Sequence, residues 1–130
     1  MKLTPRNAIQ VLLGLDSIVT FFHLLILMKL IPYKIAWGGR LQSDGQMYLF
    51  ETMSITINLF LISILLMKGR YIKARLREGT VDMILWIFLL LFVLNTVANL
   101  FAETNFEKLF GLLTLTFALL LWVVLRSKAN

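Results

Sequence analysis

Cysteine is absent from this 130-residue chain, and histidine occurs once. The first shortage excludes disulfides, thiolate metal sites, iron–sulfur clusters and thiol redox chemistry. The second leaves too few donors for an ordinary transition-metal site, so no metal and no cofactor is expected. Charge is scarce as well, with 15% charged against 59% hydrophobic residues. The two prolines are Pro5 and Pro32, so nothing after Pro32 breaks a helix by losing a backbone N–H. The chain also lacks a Walker loop, a nucleophile elbow and a dinucleotide fingerprint, which removes the common nucleotide and hydrolase chemistries.

What remains is apolar sequence in long runs. A mean hydropathy of +0.84 is too high for a fold of this size to bury in water, so lipid is the expected solvent for most of the surface. The runs define four spans at about 8–31, 46–67, 81–101 and 108–125, each near the length needed to cross hydrocarbon. Short connectors force consecutive spans to be neighbours. The expected fold is therefore all-α, a single transmembrane domain over 1–130 forming an antiparallel four-helix bundle. Thr4 with Pro5, Ser43 with Gln46, and Thr104 with Glu107 read as helix starts, and Pro32 as a stop. Lys2 and Arg6 ahead of the first run imitate a secretory leader, but the run is too long and no cleavage pattern follows it. An uncleaved anchor is expected.

Basic residues are unevenly shared between the span ends. Lys2, Arg6, Lys68, Arg70, Lys73, Arg75, Arg77, Arg126 and Lys128 flank one side, nine in all, while Lys34, Arg40 and Lys108 flank the other. The positive-inside bias then places both termini and the second connector in the cytoplasm of a multi-pass cell-membrane protein. The net charge of +6 is spread beside hydrophobic runs, which points to anionic lipid and not to nucleic acid. Lys68, Arg70, Lys73, Arg75 and Arg77 are the expected headgroup contacts.

Polar groups inside the spans are few, and each is costly in hydrocarbon. Asp16, Thr20 and His23 share one stripe of the first span, Glu51, Ser54 and Asn58 one of the second, and Asn95 and Asn99 one of the third. Asparagine, serine and threonine are common interhelical glue, a reading that covers Asn58, Asn95, Asn99, Ser54 and Thr114. Asp16, His23 and Glu51 are expensive devices for packing alone. Glu51 could also pair with Lys29, Lys34 or Arg40 at the span end. Asp82 and Glu107 sit in first helical turns and are expected only to complement the helix dipole. Gly111, Thr114 and Ala118 offer a small face for close helix approach.

In size and in carrying an acidic residue in the first span, here Asp16, the chain resembles small multidrug-resistance transporters, though its one-sided charge departs from their frequent dual insertion. It is of similar length to fluoride channels but lacks their glycine- and threonine-rich third helix. In residue types alone, His23 and Glu51 with Asn95 or Asn99 resemble the proton-transfer site of membrane sterol isomerases, a likeness that implies an acid/base pair with a hydrogen-bonding amide. Three functions follow as expectations. The first is an externally facing intramembrane pocket that binds or translocates a small molecule or ion, formed by His23, Glu51, Asn58, Asn95, Asn99, Arg40 and Asp16. The second is an accessory subunit bound to a membrane protein or a second copy of the chain. The third is an embedded acid/base enzyme acting on a lipid-like substrate.

Overall fold

The computed structural model describes residues 3–34, 41–102 and 105–126. Among these are four long helices: α1 (Pro5–Leu27), α2 (Asp44–Lys68), α3 (Glu78–Leu100) and α4 (Asn105–Arg126). All four are long and apolar enough to cross a membrane. Their outward faces carry Ile18, Phe21, Leu90, Leu94, Leu112 and Leu119, each more than half exposed, a surface that water would not tolerate over this area.

The helix ends follow local chemistry. Thr4 Oγ1 accepts from Asn7 N at 3.1 Å, with Pro5 in the first turn. Ser43 Oγ accepts from Gln46 N at 3.2 Å, and Gln46 Oε1 reaches back to the N–H of Gln42, one residue before the usual capping-box partner. Thr104 lies outside the described residues. The first apolar run does not stay helical to Ile31, because α1 stops at Leu27. Lys29, at φ 62°, turns the backbone into the left-handed region. Its N–H then returns to Ile26 O and that of Leu30 to Leu25 O, a Schellman closure that satisfies carbonyls the helix would leave open. α2 ends the same way: Arg70 takes φ 61°, with Arg70 N on Met67 O and Tyr71 N on Leu66 O.

Gly69 precedes that turn with an ordinary φ of −80°, so its value is space. A Cβ there would stand 2.7 Å from the Tyr71 ring. Tyr71 folds back under α1, its hydroxyl accepting from Gln10 Nε2 at 3.0 Å and its ring lying under the Arg6 guanidinium, 4.5 Å from the centroid. Arg6 in turn donates to Gly69 O at 3.2 Å. The start of α1 is thereby tied to the end of α2. Lys68 Nζ lies 2.6 Å from Asp82 and 3.8 Å from Glu78, so the end of α2 is also tied to the start of α3. Asp82 is buried in this link, a larger role than the helix-dipole one expected for it.

This end of the molecule, which holds the first residues of α1 and the last of α4, is called the termini end below. Most of the core lies there: Leu12, Leu61, Ile64, Leu65, Leu85 and Leu121 have no exposed surface. At the far end a smaller cluster packs Ile26, Leu41 and Met47 with Phe22 and Tyr33. Lys29 also pairs there with Asp44 at 2.8 Å, over the Tyr48 ring. Asp44 beside it, with help from Tyr48, holds the Lys29 ammonium above its ordinary 10.5. The stability this link contributes is therefore fully present below that value and disappears as pH rises through the shifted one. An Asp44→Asn variant should lose that alkaline transition in a pH-resolved unfolding series.

Arg70→Gly should stabilise the fold by about 0.5–1 kcal/mol, since a left-handed backbone costs an L-residue roughly 1–2 kcal/mol, partly offset by the freedom glycine adds to the unfolded chain. Unfolding in mixed micelles measures this, and a loss of stability would mean that Arg70 is held by contacts worth more than its strain.

Candidate functional site

Between the two apolar clusters lies a pocket of about 340 Å³ to which all four helices contribute. Val19 and His23 come from α1, Ser54, Ile57 and Asn58 from α2, Asn95 and Asn99 with Phe88, Leu91 and Phe92 from α3, and Phe110, Leu113, Thr114 and Phe117 from α4. The wall is mainly apolar, with a few polar groups from different helices, the usual make-up of a small-molecule site.

His23 and Glu51 form the centre of its polarity. Nδ1 of His23 lies 2.6 Å from Oε2 of Glu51, across the α1–α2 interface, with Glu51 fully buried and His23 8% exposed. A carboxylate oxygen accepts, so Nδ1–H donates, and Nε2 is the remaining polar atom of a ring that lines the pocket. Glu51 stands behind the wall and orients the ring. In a neutral imidazole Nε2 would accept a proton or a hydrogen bond, and in an imidazolium it would donate one.

The amides complete the set. Asn58 Nδ2 donates to Ser54 O at 2.7 Å, leaving its carbonyl oxygen for the pocket. Asn95 and Asn99, one turn apart on α3, are not joined by hydrogen bonds to any described side chain, and Asn95 is exposed. α3 and α4 meet closely beside them. Thr96 Oγ1 and Thr114 Oγ1 are 2.8 Å apart, Phe92 stacks on Phe117 with centroids 4.8 Å apart, and a Cβ on Gly111 would come within 3.3 Å of Asn99 Cβ.

Of the residues expected at the site, His23, Asn58, Asn95 and Asn99 share the pocket wall, and Glu51 is joined to it through His23. Arg40 lies outside the described residues. Asp16 shares the His23 stripe on α1, about 10 Å nearer the termini end by helix rise, but does not reach the pocket, since Val19 stands between them on that face. It is fully buried, and neither of its carboxyl oxygens has a hydrogen-bond partner among the described residues. Lys68 is largely buried against Asp82, whereas Arg70, Lys73, Arg75 and Arg77 are exposed. Lys29 goes to Asp44 and not to Glu51. Glu107, expected only at a helix end, is buried.

The aromatic wall was not readable as a site. Phe88, Phe92, Phe110 and Phe117 look like any other phenylalanine in an apolar span, and only the Gly111–Thr114–Ala118 face hinted where α4 would come close to a neighbour. Comparison with known protein families, characterised proteins and solved structures finds no match to this chain.

Two stability measurements follow. His23→Phe and Glu51→Leu should each cost about 3 kcal/mol, because either leaves a buried polar partner behind, and the double variant should cost clearly less than the sum. Additive losses in that cycle would remove the coupling. Asp16→Leu should instead stabilise the protein by about 1–3 kcal/mol, since it deletes a buried acid with no partner. Destabilisation would show that the carboxyl is satisfied in the native state.

Proposed function

We propose that the chain is a multi-pass protein of the cell membrane, an antiparallel four-helix bundle with both termini and the 69–77 segment cytoplasmic, whose pocket binds a small molecule within the outer half of the bilayer. The apolar outer faces and the nine-to-three split of basic residues support the placement. The exposed Arg70, Lys73, Arg75 and Arg77 would then lie on anionic headgroups, each contributing about 1 kcal/mol.

The observation that carries the binding reading is the His23–Glu51 bond at the wall of a pocket of about 340 Å³. An accessory subunit with polar stripes used only as glue has no need of a cavity beside its most expensive pair. Binding is favoured over passage by what lies beneath: Leu12, Leu61, Leu85 and Leu121, with no exposed surface, close the bundle towards the termini end around the isolated Asp16. The same bond also suits a second reading, an acid/base enzyme, because a carboxylate on Nδ1 with Nε2 turned to a pocket is how a general base is oriented.

Native mass spectrometry of protein released from membranes tests the binding reading. A small-molecule adduct is expected on the wild-type chain, reduced about tenfold, roughly 1.4 kcal/mol, in Leu113→Trp, which fills the pocket. Leu119→Trp on the outer face of α4 should leave it unchanged. No adduct, or equal adducts on both variants, would overturn the proposal. If the second reading holds, Glu51→Gln would retain the adduct unaltered while the wild-type protein converts it.

A further inference from the structure

Three of the four interfaces between neighbouring helices are fastened beyond the Phe88 level of the pocket, and one is fastened no further than Phe88. α1 and α2 meet through Arg6 and Gly69 at the termini end and through His23 and Glu51 beside the pocket. α1 and α4 are joined at the far end by Phe22, whose ring lies 5.6 Å from Phe106 and 5.9 Å from Phe110. α3 and α4 are joined from Trp86 and Trp122 to Asn99 and Gly111. α2 and α3 are fastened by Lys68–Asp82 and by Phe60 and Phe88, whose centroids are 6.1 Å apart. Beyond Phe60 no hydrogen bond, ion pair or ring contact joins these two helices among the described residues, and they are the most loosely packed neighbouring pair.

The pocket sits at that opening. Ile57 on α2 and Leu91 on α3 flank it, 47% and 44% exposed, and Asn95 stands exposed beside Leu91. An amide on the outer face of an apolar helix is unfavourable in hydrocarbon unless something polar reaches it. We infer that the pocket takes an uncharged single-chain amphiphile, which enters sideways from the bilayer between α2 and α3 and leaves its tail in the gap. This rests on the binding reading above and names its ligand class and route.

The chemistry selects the class. His23 Nε2 and the amides of Asn95 and Asn99 offer donors and acceptors to a hydroxyl or amide head. The described lining holds no lysine or arginine, so among these residues a phosphate head would find no permanent cation and at most the single charge of a protonated His23. A volume of about 340 Å³ is at the low end for a whole ligand but suits a head with a few carbons, provided the rest of the chain lies outside. The α2–α3 gap supplies that exit.

The absence of cysteine makes a direct test possible. Ile57→Cys, Leu91→Cys and, as an outer-face control, Leu119→Cys would each be reconstituted in phosphatidylcholine vesicles and modified reversibly with benzyl methanethiosulfonate. The probe is a monoacylglycerol carrying a photoreactive diazirine, with a diazirine phosphatidic acid for comparison. Monoacylglycerol should label pocket residues about tenfold more than phosphatidic acid. Modification at 57 or 91 should cut that labelling by a similar factor, modification at 119 should not, and a thiol reductant should restore it. Pocket labelling that ignores modification at both 57 and 91 would overturn the lateral route while leaving the pocket a binding site. Equal or stronger labelling by phosphatidic acid would overturn the ligand class. An unlabelled pocket in a protein whose native adduct still depends on Leu113 would likewise overturn the class and spare the binding reading, whereas an unlabelled pocket with no adduct would remove both. Spontaneous Leu91→Cys disulfides between copies, with no labelling, would assign the gap to a second molecule of the chain instead.

Discussion

The His23–Glu51 bond is the contact on which the arrangement of the pocket depends. Leucine and isoleucine side chains on two facing helices can slide past one another at modest cost, because dispersion contacts are not directional. A fully buried carboxylate cannot: moving α2 by one turn would carry Glu51 away from the imidazole and break a directional hydrogen bond in an apolar medium. This hydrogen bond of 2.6 Å therefore holds the register of α1 against α2 beside the pocket, as Arg6 and Gly69 hold it at the termini end, and with it the level at which Ser54 and Asn58 face the pocket. It also orients the only imidazole in the chain, so the groove between α1 and α2 and the chemistry of the wall are set by the same atoms.

Packing then distributes stability unevenly. The termini end has a continuous apolar core and is cross-linked by Arg6, Tyr71, Lys68 and Asp82, all reaching between helices that are neighbours in sequence. The middle of the bundle is looser on one side and held tight on the other: Gly111 and the Thr96–Thr114 bond bring α4 against α3, while α2 and α3 are the most loosely packed neighbours. A cavity persists where one pair of helices is joined, among the described residues, only from the termini end to mid-helix, by Lys68 with Asp82 and by Phe60 with Phe88, and the others do not collapse to fill the space. Asp16 fits the same division, as a fully buried acid without a hydrogen-bond partner among the described residues, two turns below His23 on the same stripe.

Much of the architecture was legible from composition and patterning. Four runs long enough to cross hydrocarbon, caps at Thr4 and Ser43, and an apolar periphery all follow from residue types taken a few at a time. So did the identity of the costly residues, since an acid or imidazole within a hydrophobic run stands out against its neighbours. The end of α1 was misplaced because the apolar run continues past it. Hydropathy does not register a backbone that turns left-handed at Lys29 to close its own carbonyls.

The sequence by itself determined which elements exist and which side chains are too polar to be left facing lipid, because both are properties of local composition and helical period. Only the tertiary structure decided which of those side chains meet. It joined His23 to Glu51, set Asn95 and Asn99 on one wall with Asn58, left Asp16 below that wall, and spent Lys68 on Asp82. The physical reason is that helical period places a residue on a face, whereas the partner across an interface depends on the register, rotation and spacing of two helices. Those are fixed by contacts summed over the whole bundle, and the loose packing of α2 against α3 beside the pocket belongs to no single stretch of chain.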